Sequence, residues 1–202
     1  MEFKFFLYII VVTSAIFHEY FHGWAAFQLG DPTAKYAGRL TLNPLKHIDP
    51  IGTVLMPLFL LFFFGGFIGW AKPVPYNPYN LRDQKRGVSK IAIAGPGANF
   101  LIALIFGILL RFAPLGGFLI IALTWIVYVN IFLGLFNLIP IPPLDGSKLL
   151  MDFFPQSRIL RVLEQSPLSI FLAIAVAIMF LPFLSSLIYY SIVGSSFLGL
   201  TF

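Results

Sequence analysis

The sequence predicts an all-α, multi-pass membrane protein of about four to six membrane segments, and three observations carry that expectation. Apolar residues make up 59% of the chain and charged residues 10%, with a mean hydropathy of +0.92. A soluble core of 202 residues could not hide so much apolar surface. The apolar residues also gather into runs, roughly 5–29, 51–70, 91–110, 118–139 and 168–200, each near or above the ~20 residues that a helix needs to cross a bilayer. Finally, the longest polar connection, Lys72 to Lys90, is too short to be a domain, so residues 1–202 read as one integral-membrane domain. The net charge of +5 would suggest nucleic acid in a soluble protein; here basic residues mark cytoplasmic loops beside lipid, and no nucleic-acid partner is expected.

Taken in order, the first run begins with MEFKF and FLYIIVV, like a signal peptide, but its apolar character resumes at Phe21, Trp24, Ala25, Ala26 and Phe27. That length predicts an uncleaved span. The run 51–70 contains Pro57 and ends near Gly65 and Gly66, features of a bent, re-entrant hairpin. Ala94, Gly95, Gly97 and Ala98 would let the third run approach its neighbours closely. Pro140, Pro142 and Pro143 must stop the fourth. The fifth carries no charge, and Pro182 makes it either one kinked helix or two shorter ones. Between the spans, YAGRLTL (36–42) reads as a short strand and GWAKPVPYNP (69–78) as extended, giving β-like segments on the cytoplasmic side.

Within the first run lies His18-Glu19-Tyr20-Phe21-His22, the pattern HExxH. On a helix its two imidazoles fall on one face, one turn apart, and can share a Zn²⁺, while Glu19 stands beside the metal to take a proton from the attacking water and return it to a leaving amine. With three His and three Glu in 202 residues, chance yields this pattern with a probability on the order of one in 1,500. Polar groups are also costly in hydrocarbon, so their presence there points to function.

A catalytic zinc takes three protein ligands and leaves a position open. The chain has no cysteine, so the third ligand must be another His, Asp or Glu. A metzincin-like spacing would need His at position 28, which is Gln, and Glu164 lies beyond the last expected catalytic span; His47 and Asp145 remain. Asp145 lies in the proline-broken stretch FNLIPIPPLDGSKLL (136–150), irregular backbone that is tolerated at membrane depth only beside protein or a watery cavity, and it is favoured. It would also suit the N-cap of the helix after it. His47, in NPLKHIDP, reads as a residue that fixes its own turn, and Asp49 as a helix start before Pro50.

HEYFH, AGPGAN (94–99) and NLIPIPPLDG (137–146) together resemble the site-2 protease family of intramembrane zinc metalloproteases, and LGDPTAKYAGRLTLNPLKHIDPIGT (29–53) with GWAKPVPYNP resembles its compact prokaryotic members. The resemblance covers about residues 15–150 and ends by Arg161. It implies one zinc held by His18, His22 and Asp145, Glu19 as catalytic acid and base, and Asn137 holding substrate or the oxyanion. It also implies substrates that are transmembrane proteins or peptides, cleaved in or near their spans within a prokaryotic cell membrane. Gly23 stands where Ala is common in the family, a small residue for a small one.

The topology agrees. His18 to His22 and Asp145 lie toward or beyond the C-terminal ends of their helices, so these must run parallel to meet. A re-entrant 51–70 makes them parallel and leaves only Lys4 and Arg111 of the 13 basic residues outside, as the positive-inside rule prefers. The site would then open toward the cytoplasm. Two other classes fit less well. A membrane metal-ion transporter would show polar residues along several spans, and a non-catalytic scaffold would lack Glu19 or a ligand.

Overall fold

The computed structural model describes residues 2–64, 69–114, 116–195 and 197. Among them the chain forms, in order, helices α1 (Glu2–Gln28), α2 (Thr33–Tyr36), α3 (Met56–Phe64), α4 (Gly87–Phe112), α5 (Phe118–Leu138), α6 (Asp145–Phe153), α7 (Arg158–Gln165) and α8 (Ser169–Val193). Four of these, α1, α4, α5 and α8, are long and apolar enough to cross a membrane. Helices are the element expected of such stretches, because lipid offers the backbone no hydrogen-bond partner and a helix satisfies its own. The chain divides into two compact units, Met1–Gly95 and Pro96–Phe202.

In the first unit, α1 ends in a Schellman cap. Gly30 takes φ +104°, its amide donates to Phe27 and that of Asp31 donates to Ala26. The last turns of α1 pack Ala25 and Ala26 against Leu81 and Ile91, the small core of this unit. Asp31, the residue just past the cap, is fully buried and gathers the following loops. Its carboxylate accepts from the Thr33 amide (3.1 Å) and hydroxyl, from the Asn77 amide (2.6 Å) and from the Asn80 side chain (2.9 Å). Burial alone would raise its pKa, but the hydrogen bonds from Thr33, Asn80 and Asn77 outweigh that and hold it below the ordinary value. The stabilisation so linked is present above an unfolded-state pKa of about 3.9 and is lost as pH falls through the lower folded value.

The run 51–70 turns back on itself. Asp49 caps a π-helical turn, Pro50–Leu55, by accepting from the Ile51 and Gly52 amides, as its place before Pro50 predicts. The chain continues into α3, whose nine residues span about 14 Å, well short of the ~30 Å hydrocarbon core. It then returns: the Trp70 amide donates to the Gly52 carbonyl (3.0 Å) and the Thr53 hydroxyl to the Trp70 carbonyl (2.8 Å). The two ends of the segment are thus joined, as the re-entrant hairpin expected from the sequence requires. Gly65 and Gly66, expected to form the bend, lie outside the described residues.

The strand expected over 36–42 does not form. The end of α2 occupies it: Gly38 takes φ +65°, the Arg39 amide donates back to Ala34, and the Arg39 guanidinium is drawn to the Lys46 carbonyl. A helix cap and a ladder compete for the same amides, and the local cap wins. Residues 69–77 remain irregular, and no strand occurs among the described residues.

In the second unit, α5 and α8 pack along their lengths around Val127, Ile131, Tyr189 and Val193, with Ala103 of α4 beneath them. Asn99 and Asn130, both buried, join α4 to α5 through a 2.9 Å hydrogen bond from the Asn99 amide to Asn130 Oδ1. α8 is a single helix containing Pro182, which settles the division of the last run; residues 196 and 198–200 of that run lie outside the described residues. Past the prolines the chain folds tightly over the end of α5. A Cβ on Gly146 would stand 2.2 Å from the Leu138 carbonyl oxygen, so only glycine can follow Asp145 there.

Candidate metal centre

The first unit brings His18, Glu19 and His22 together on α1, while Asn137 and Asp145 belong to the second. Both histidines are buried, at 6% and 8% exposure. Their Nε2 atoms lie 2.9 Å apart, with the rings edge to face, 4.5 Å between centroids. Ligands at about 2.05 Å from a tetrahedral zinc stand roughly 3.3 Å apart, so the pair needs only a few tenths of an ångström of adjustment to hold one. The tautomer is also suited. His22 Nδ1 lies 2.7 Å from the Ile91 carbonyl oxygen; a carbonyl only accepts, so Nδ1 carries the proton and Nε2 is left as the ligating nitrogen.

Space for an ion is kept by Gly95. A Cβ there would stand 2.4 Å from His22 Nε2 and 2.6 Å from His18 Nε2. The small residues of AGPGAN therefore do different work from one another. Gly95 clears the imidazoles and Ala98 is buried, whereas a Cβ on Gly97 would meet nothing within 4 Å. Gly95→Ala is accordingly expected to weaken zinc binding by about a hundredfold while leaving every ligand in place, as read by competition with a chromophoric chelator. Unchanged affinity would mean that the imidazoles move aside at no cost.

Glu19 is half-buried, and its Oε2 accepts a 2.8 Å hydrogen bond from the Val74 amide. That amide lies between Pro73 and Pro75, which have no N–H, so neither neighbour can replace it as the donor to Glu19. The Trp70, Lys72 and Val74 amides reach Gly52, His47 and Glu19 in turn, the period-two alternation of an extended chain. The extended stretch is evident from the sequence, whereas this donor is not. Its signal was the Pro-Val-Pro triplet, which leaves a single amide in position.

His47 is fully buried and holds the Thr41 carbonyl through Nε2 (2.7 Å), the turn-fixing role expected of it. Its Nδ1 has no hydrogen-bond partner, and the residue lines a small apolar cavity of about 30 Å³ with Tyr8, Val12 and Trp70. In the second unit, α6 begins at Asp145 itself, with Leu144 in the capping position. Asp145 is thus not the N-cap expected of it but a first-turn residue, where the helix dipole still favours its charge. It is 5% exposed and its Oδ1 pairs with Lys148 Nζ at 2.9 Å, a partner not foreseen. Asn137 donates from Nδ2 to the Leu133 carbonyl of its own helix (3.0 Å).

Apolar helices of spanning length, a re-entrant hairpin and a buried imidazole pair with a carboxylate beside it define a membrane-embedded metallohydrolase. Residues 116–182 match Peptidase family M50. The chain is 38% identical over 160 residues to the "Putative zinc metalloprotease YwhC" of Bacillus subtilis, covering 74% of this chain and 69% of that one. MJ0611 of Methanocaldococcus jannaschii, described in the same words, is 33% identical over 145 residues, 70% of this chain and 67% of its own. Rip2 of Mycolicibacterium smegmatis is 31% identical over 136 residues, and the chain spans about half of its length (51%). No solved structure matches. The chain belongs to peptidase family M50, the site-2 proteases. It is a multi-pass membrane zinc metalloprotease whose substrates are membrane proteins.

Proposed function

We propose that this protease hydrolyses peptide bonds in or beside the transmembrane segments of single-span proteins in a prokaryotic cell membrane, with residues 1–202 acting as one catalytic domain and the site opening toward the cytoplasm. The observation that carries the reading is the Nε2–Nε2 pair of His18 and His22, 2.9 Å apart, with Glu19 held beside it. The basic residues support the orientation, since only Lys4 and Arg111 of 13 fall outside when 51–70 is re-entrant.

In this reading His18, His22 and Asp145 hold one zinc, a set of two nitrogens and one carboxylate oxygen that suits a catalytic site. Bound there, the metal supplies Lewis acidity toward a carbonyl and lowers the pKa of water. The chain's own residues do the rest. Glu19 takes the proton of the attacking water and delivers it to the leaving amine, and the Val74 amide keeps its carboxylate aimed. Asn137 keeps one amide hydrogen beyond its bond to Leu133, which it can offer to substrate or the developing oxyanion.

A helical substrate must unwind locally before its carbonyl is accessible, and the extended stretch 70–77 offers it an edge. Since residues 70, 72 and 74 turn inward, residues 71, 73 and 75 face the other way, where two prolines provide carbonyls but no amides. Capture there runs through substrate N–H donors. The experiment is cleavage of a single-span reporter by the protein in proteoliposomes, expected to stop on stripping with a membrane-permeant chelator and to return with zinc. Cleavage that survives chelation would overturn the reading, and intact reporter with bound zinc would favour a transporter or scaffold.

A further inference from the structure

The Asp31 carboxylate takes no part in metal or substrate chemistry, yet it accepts four hydrogen bonds. It lies just past the end of α1, the helix that carries Glu19. From there it holds the Asn77 amide at 2.6 Å and the Asn80 side chain at 2.9 Å. Three residues before Asn77 lies Val74, the donor to Glu19. Residues 74–77 thus hang between the carboxylate of Glu19 on α1 and that of Asp31 just beyond its end.

We propose that Asp31 is a positioning residue for Glu19: by gripping the Asn77 amide it sets the register of the stretch 72–77, and so places the Val74 N–H on Glu19 Oε2. This deepens, and rests on, the protease reading. Register matters because there is no substitute donor. A slip of one residue in either direction would bring Pro73 or Pro75 to Glu19, and neither has an N–H to give. Local packing would not correct the slip unaided. Val74 is buried on Gly23, where an added Cβ would come within 2.9 Å of Val74 Cγ1, so the fit is close but apolar and without direction. Upstream, the Lys72 amide on His47 fixes the other end. With Asp31 the stretch is held at both ends, and Val74 can present only one face.

The same geometry explains why a carboxylate is needed. Three of the four groups on Asp31 are N–H donors and the fourth is the Thr33 hydroxyl, so an acceptor-only side chain satisfies all of them. Asn in its place keeps the shape but turns an NH₂ toward donors, which must then separate.

The test is Asp31→Asn in the full chain, read by zinc content, by hydrogen–deuterium exchange of the peptides covering 69–80 and 8–22, and by kcat and KM on the single-span reporter in micelles. The expected result is zinc retained at wild-type level, exchange in 73–78 faster by about tenfold with 8–22 unchanged, and kcat lower by about ten- to a hundredfold at constant KM. Asn80→Ala, which removes only one of the bonds, should move each readout in the same direction and less; it also carries the test if Asp31→Asn does not fold. Unchanged exchange in 73–78, or loosened exchange with wild-type kcat, overturns the proposal. So does a raised KM with kcat kept, which would make the stretch a substrate clamp alone. If the wild type cleaves no reporter, it is the protease reading that fails, and the exchange and zinc readouts still decide whether Asp31 sets this register.

Discussion

Glu19→Gln is expected to keep zinc at the wild-type level and to lower reporter cleavage by about 10³-fold or more. The substitution is nearly isosteric, and the amide oxygen of Gln can still accept from Val74 N–H, so the local structure that the wild-type carboxylate organises is retained. What is lost is the ability to take a proton from water and return it to the leaving nitrogen, a contribution of typically 10²–10⁴-fold in rate. Measuring metal content and cleavage on the same preparation separates the two. Cleavage within tenfold of wild type would assign proton transfer to another group, and zinc loss would show that Glu19 shapes the metal site rather than the chemistry.

His22→Ala is expected to abolish zinc binding, from about one ion per chain to below about a tenth, and cleavage with it. Two effects combine at this side chain. Its Nε2 faces that of His18 at 2.9 Å, and its Nδ1 is anchored on the Ile91 carbonyl, so truncation removes a ligand together with the hydrogen bond that tied α1 to Ile91. Elemental mass spectrometry of the detergent-purified protein checks it without knowledge of any natural substrate. Zinc retained by the variant would remove His22 from the ligand set. The Gly95→Ala outcome then distinguishes lost ligand from lost space, since that variant keeps both imidazoles and fills the volume between them.

Much of this was legible in one dimension because the physics is local. A spanning helix is a length of apolar chain, and the four long helices lie where the apolar runs are. HExxH is a spacing, and a helix converts spacing into a shared face without help from the rest of the fold. Asp49 before Pro50 caps its own turn, and His47 binds a carbonyl six residues away, interactions that need no knowledge of the chain's path. The return of 51–70 was read from charge and proline, and the Gly52–Trp70 hydrogen bond provides its closure.

What failed or was missed depends on where the chain goes next. The stretch 36–42 has the composition of a strand, but a strand requires a partner, and the cap of α2 takes its amides first. Asp145 has the sequence context of an N-cap, yet the helix starts at the residue itself and Lys148 takes its carboxylate. The partner of Glu19 lies 55 residues along the chain and that of His22 lies 69. No spacing rule reaches so far.

By itself, then, the sequence determined the solvent and the spans and singled out the candidate side chains of the site, since each follows from composition or from a helical repeat. Only the tertiary structure decided how those side chains are oriented: which ring nitrogen of His22 faces its neighbour, which amide holds Glu19, why position 95 has no side chain, and which acid stabilises the stretch that carries Val74. A hydrogen bond constrains both of its ends in space, and for residues far apart in the chain only folding brings those ends together.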